Sequence, residues 1–111
     1  MKQHEKIIAL MIRRYGQQTW FYPPDFQKPG LEELFVGYEA SARFSELAKR
    51  YPEMLASKNE GKYIYRRFRF ENLPAIIHTA PEFVSLIVNE FSSKGLSMEK
   101  VAKDAVSAPL F

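Results

Sequence analysis

Between Gly37 and Pro52 the apolar residues Ala40, Phe44, Leu47 and Tyr51 recur at i, i+4, i+7 and i+11. That spacing draws one face of an α-helix and cannot draw one face of a strand. Gly37 offers a tight corner before it, because glycine tolerates a positive φ. Pro52 ends it, since the residue before a proline avoids the helical region. The spacing therefore predicts a helix over 38–51. Near the face opposite the stripe lie Tyr38, Ala42, Ser45, Glu46 and Lys49; Ser41 lies to one side, Arg43 and Arg50 to the other.

What flanks this helix sets the rest. Residues 54–58 and 63–70 (YIYRRFRF) read as paired strands, with Asn59-Glu60-Gly61-Lys62 as the turn. In the second strand Ile64, Phe68 and Phe70 share one face, and Tyr63, Tyr65, Arg67 and Arg69 share the other. Arg66 breaks the apolar face and is read as lying at the sheet edge. Upstream, residues 3–15 read as a strongly apolar helix capped by Gly16, and Thr19–Tyr22 as a short strand ended by Pro23 and Pro24. A turn at 24–28 and a helix at 31–36 follow, with Val36-Gly37 making the corner. Downstream, Asn72-Leu73-Pro74 reads as a joint. Thr79 and Glu82 have capping-box spacing before the stripe Phe83, Val84, Ile87, Val88 and Phe91, which Gly95 closes. Ser97 caps a last helix with the stripe Met98, Val101, Ala102, Ala105 and Val106, ended by Pro109.

Helix, turn, helix and basic hairpin, in that order, are the plan of an α+β winged helix-turn-helix, a three-helix core with a small β-hairpin wing, here followed by two C-terminal helices. The run Ala40-Ser-Ala-Arg-Phe-Ser-Glu-Leu47, then Lys49-Arg50-Tyr51-Pro52, then Glu60-Gly-Lys-Tyr-Ile-Tyr65 resembles small winged-helix domains of bacteriophage and mobile-element proteins. The resemblance covers roughly residues 5–70. It implies Ser41, Arg43 and Ser45 near DNA, with Lys58, Lys62 and Tyr63 on the wing. The residues themselves suit that role: Tyr38, Ser41, Ser45 and Lys49 can reach base edges, and Arg43, Arg50, Lys58 and Lys62 can hold phosphates. Arg67 and Arg69 beside Tyr63 and Tyr65 suit phosphate and stacking, which keeps single strands in view. Glu39 and Glu46 oppose phosphate at this face, although a glutamate can accept from cytosine N4.

Composition narrows the alternatives. With 111 residues, 46% hydrophobic and 14% aromatic, the chain suits one small core. It divides into residues 1–72, the winged domain, and 73–111, a helical extension that packs on it or forms a homodimer interface through residues 80–107. The net charge is +3, but residues 43–69 hold eight Lys and Arg against three Glu, so the positive charge concentrates in the second helix and wing. There is no cysteine, no nucleophile or phosphate-loop motif, and His4 and His78 lack metal-ligand spacing. No enzyme activity and no cofactor are expected. Neither a secretory signal nor a membrane span is read, so a soluble protein of the cytoplasm, bacterial or of a phage-infected host, is expected. The leading expectation is a double-stranded-DNA-binding protein, a small transcriptional regulator or a phage accessory factor. The alternative is a winged-helix protein-interaction module in a larger assembly.

Overall fold

Helix α1 (Gln3–Arg13) lies at the centre of the molecule. In the computed structural model, which describes residues 2–28, 36–37 and 39–107, its residues Ile7, Ile8, Ala9, Leu10, Met11 and Ile12 are all buried. A helix that is apolar all round belongs in an interior. The remaining described elements are a 3₁₀ turn at Pro23–Gln27, α2 (Ala40–Arg50), strands β1 (Leu55–Glu60) and β2 (Tyr63–Phe68), α3 (Leu73–Thr79), α4 (Val84–Ser93) and α5 (Met98–Ser107), an α+β arrangement. Helix α1 packs against α2, α4 and β2. The predicted helix over 31–36 falls almost wholly outside the described residues, and Val36, which is described, is not helical.

Helix α2 follows its stripe: Ala40, Phe44 and Leu47 are buried, as is Tyr51 just beyond it. Phe44 meets Phe26 edge-on with ring centroids 5.0 Å apart, which ties the 3₁₀ turn to the helix. Gly37 takes φ +119°, and Gln3 Nε2 donates to the neighbouring Val36 carbonyl at 2.6 Å.

The hairpin is tighter than its sequence suggests. Strands β1 and β2 pair antiparallel from Leu55↔Phe68 to Glu60↔Tyr63, leaving only Gly61-Lys62 as the loop. Gly61 takes φ +62° and no described non-glycine residue has positive φ, the sign pattern of a type II′ turn. Asn59 and Glu60, expected in the turn, are therefore strand. At the other end β2 stops at Phe68, and Phe70 opens a 3₁₀ turn, Phe70–Asn72. The predicted strand over Thr19–Tyr22 reduces to a single bridge: Phe21 N–H donates to the Arg66 carbonyl at 2.7 Å, and Arg66 N–H to the Phe21 carbonyl at 2.9 Å. Strand β2 is thus flanked on both sides.

The C-terminal third departs most from expectation. Asn72-Leu73-Pro74 is not a joint but the entry to α3, where Pro74 fits the first turn, which needs no proline N–H. Thr79 is the last residue of that helix, so its backbone is helical and it cannot act as the N-cap of the next. Its hydroxyl lies 2.8 Å from the Ala75 carbonyl and 2.5 Å from Glu53 Oε1. Pro81 forces the break, because Ala80 before it sits at φ −127°, ψ 61°. Gly95 and Leu96 close α4 with bonds from their N–H groups to the Ser92 and Phe91 carbonyls, a Schellman pattern. Ser97 Oγ accepts from Lys100 N–H at 3.3 Å, as a cap should. Phe83, Ile87, Phe91, Val101 and Ala102 join the same buried cluster as α1 and α2. Of their stripes, Val88 and Val106 are left exposed.

Two ion pairs lock these layers. Arg13 of α1 grips Glu90 of α4 through Nε and Nη2 at 3.0 and 2.7 Å. Arg67 grips Glu71 at 2.9 and 3.1 Å, and both side chains are about 10% exposed or less. Burial raises the Glu71 carboxyl, but bonds from Arg67, its own backbone and Arg69, with the Arg67 charge, outweigh it and hold the group below its ordinary value.

Because that value is depressed in the folded state, the pair's contribution is full above the ordinary carboxylate value of 4.5 and fades as pH falls below it. Replacing Glu71 with Gln leaves a buried guanidinium without its anion. It should cost about 3 kcal/mol at neutral pH and remove this component of acid sensitivity in urea titrations run from pH 7 to pH 3. Gly37→Ala should cost about 1–3 kcal/mol, since the residue would hold an unfavourable φ and its Cβ would stand 2.9 Å from Gln3 Nε2. Thermal unfolding checks this.

Candidate nucleic-acid interface

The buried stripe of α2 fixes what its other faces can do. Ser41, Ser45 and Lys49 form an exposed i, i+4, i+8 row. Arg43, Glu46 and Arg50 lie on the opposite flank. The two flanks meet different surroundings.

The Ser41–Ser45 flank faces the hairpin across a cleft of about 170 Å³, lined also by Tyr22, Pro23, Pro24, Lys62, Ile64 and Arg66. Arg66 closes the base of this cleft. Its guanidinium donates to Ser45 Oγ at 3.0 Å through Nη2 and to Ser57 Oγ through Nη1, joining helix to hairpin. Register explains the second contact. The Arg66 N–H and C=O both point at Phe21, so Ser57↔Arg66 is a non-hydrogen-bonded pair, whose side chains come closer. Partial burial pulls the Arg66 value below that of a free guanidinium, yet arginine keeps its charge at any ordinary pH. Lys49 and Lys62 have no carboxylate within 4 Å among the described residues.

The other flank is a charge cluster that satisfies itself. Arg43 reaches Glu39 at 3.2 Å and Glu46 at 3.3 Å, while His4 of α1 meets Glu46 at 2.9 Å. These groups border a groove of about 920 Å³ between α1, α2 and the Pro81–Phe83 turn, with Glu5 and Glu82 on its walls. Glu46 is therefore turned away from the hairpin and partly neutralised. Arg50 lies over the Tyr51 ring at 5.5 Å.

The sheet separates the remaining predicted residues. Lys58, Tyr63 and Arg67 lie on its outer face, away from α2. Lys58 sits 4.6 Å above the Trp20 ring and 3.2 Å from Glu60. Arg67, expected to be open to solvent, is 8% exposed and held by Glu71, a correction that assigns it to the structure's interior. Tyr38 lies outside the described residues. The predicted set thus divides into a cleft group (Ser41, Ser45, Lys62) with Lys49 one turn beyond it on the same exposed row, a self-paired group (Arg43, with Arg50 beside it) and an outer-face group.

Arg66 is the group that sequence reasoning misplaced. It does not lie at a sheet edge but in the middle strand. Its signal was its phase: it alternates with Ile64 and Phe68, so it must face whatever the sheet packs on.

Among the described residues no group of three or more His, Cys, Asp and Glu side chains could hold a metal ion, and no helix is long and apolar enough to cross a membrane. No family model matches the chain, and no curated protein or solved structure is significantly similar to it.

Proposed function

We propose that the protein is a winged-helix DNA-binding protein in which α2 is the recognition helix and the β1–β2 hairpin is the wing. The observation that carries this reading is the cleft. Ser41 and Ser45 of α2 face Lys62 and Arg66 of the hairpin across it, Lys49 continues their exposed row one turn on, and the neighbouring acids are engaged on the opposite flank. A helix and a hairpin presenting cations to one space suit a duplex, whose backbone rewards each lysine or arginine that neutralises a phosphate. The order of α1, α2 and hairpin, with Phe21 bridging β2, agrees with a winged layout. In this reading Lys49, Lys62 and Arg66 hold phosphates, and the two serines meet base edges.

The test is a titration of labelled duplex at two salt concentrations. Three phosphate contacts predict a log–log salt slope near −2.7, from about −0.9 per contact. Lys49→Ala, Lys62→Ala and Arg66→Ala should each flatten that slope by about 1. Arg43→Ala, whose charge is already answered by two carboxylates, should change it much less. Failure to bind any duplex at low salt, or an Arg43 effect as large as that of Lys49, would sink the assignment.

A further inference from the structure

The outer face of the sheet carries Trp20, Lys58, Tyr63 and Tyr65, which do not line the α2 cleft, and adjoins Tyr22 and Lys62, which do. The Phe21↔Arg66 bridge places Tyr22 opposite Tyr65 and Trp20 opposite Arg67, because antiparallel partners step in opposite directions. On the other side of β2, Tyr65 faces Lys58 and Tyr63 faces Glu60. The result is a contiguous patch in which Tyr22 meets Tyr63 at 5.6 Å and Tyr65 at 5.5 Å between ring centroids. The Lys58 ammonium lies across it, 4.6 Å from the Trp20 ring and 5.6 Å from that of Tyr65. Lys62 reaches over the Tyr63 ring at 5.5 Å.

Aromatic rings of this size ordinarily bury most of their area. Here Tyr63 is 43% exposed, and Trp20, Tyr22 and Tyr65 each keep a smaller part of their surface exposed. Lys58, Lys62, Arg67 and Arg69 stand around them against the carboxylates of Glu60 and Glu71, so the patch is net positive. Aromatic rings interleaved with mobile cations are the chemistry that receives unpaired nucleobases, the rings stacking on bases and the cations answering the phosphates.

We propose that this face, with Tyr63 and Tyr65 as its stacking residues and Lys58 as its phosphate contact, binds single-stranded nucleic acid. It would be a second surface on the outer side of the hairpin, meeting the α2 cleft at Tyr22 and Lys62, and it does not depend on that cleft binding duplex.

Trp20 is the chain's single tryptophan and lies inside the patch, so the full-length protein carries its own reporter. Oligothymidylate and oligouridylate of about 12 nucleotides, within the usual range of site sizes, are titrated at low salt. Trp20 fluorescence and the anisotropy of labelled strands are both followed. Binding of either strand with a change in Trp20 emission is expected; comparing the two tells whether DNA or RNA is preferred. Tyr63→Ala should weaken it about tenfold or more, Tyr63→Phe should restore it, and Lys49→Ala should leave it unchanged. The exposure of Tyr63 makes both variants compatible with folding, and circular dichroism checks this. Absence of binding to both strands, or equal losses from Tyr63→Ala and Lys49→Ala, overturns the proposal. Duplex binding measured on the same variants separates the surfaces: Tyr63→Ala leaves it intact, and its absence beside retained single-strand binding would refute only the recognition role of α2.

Discussion

The pair of backbone hydrogen bonds between Phe21 and Arg66 is the constraint on which the functional surfaces depend. A lone two-stranded hairpin is marginal in water. Bonded to Phe21 on its free side, β2 becomes a central strand, with its face assignments fixed. Phe21 itself is buried and tilts against Phe26, which in turn meets Phe44 of α2. The hairpin is thereby tied through three rings to the helix whose flank it faces. A one-residue slip in this register would exchange every inner side chain of β2 for an outer one.

Electrostatics then sorts the helix. Positive charge in this region looks uniform in the sequence, but the fold divides it by what each cation already touches. Arg13, Arg43, Arg67 and Arg69 lie against carboxylates. Such pairs contribute mainly by leaving no buried charge unanswered, and they add little to the field outside. Lys62 and the half-buried Arg66 line the cleft and Lys49 stands beside it, none of them with a carboxylate partner among the described residues. Few cations, closely placed and not neutralised by neighbours, steer an anion better than many paired ones.

Much of this was legible in the chain. The stripe of Ala40, Phe44, Leu47 and Tyr51 dictated α2, the apolar run in α1 dictated a buried helix, and Gly61 marked the hairpin turn, because each signal is local. The misread parts depended on context. Thr79 and Glu82 have the spacing of a capping box, but Leu73–Thr79 has enough packing surface in Leu73 and Ile76 to be helical, and Pro81 then breaks the chain two residues after that helix ends. Arg67 has the phase of a solvent-facing residue. Its burial requires Glu71, four residues on and outside the strand, to turn back beneath it. Arg43 has Glu39 and Glu46 at i−4 and i+3 on its own helix, a local pairing the chain already spells out, whereas the contact of His4 with Glu46, forty-two residues away, was invisible in it.

The chemistry of the cleft also bears on what the proposed recognition helix can discriminate. A serine hydroxyl donates or accepts, so Ser41 and Ser45 accommodate more than one base edge, whereas strong discrimination comes from bidentate arginine, asparagine or glutamine. Arg66 has the fork for a guanine, but Ser45 and Ser57 hold it across the cleft. To read a base it would have to give up both bonds; its Nε is buried, so a phosphate would be met by the second N–H of a terminal nitrogen, which breaks neither bond. In the proposed role the face would hold a backbone more strongly than it selects a sequence. Selectivity would come from the shape of the groove that lets Lys49, Lys62 and Arg66 reach phosphates together, which is indirect readout.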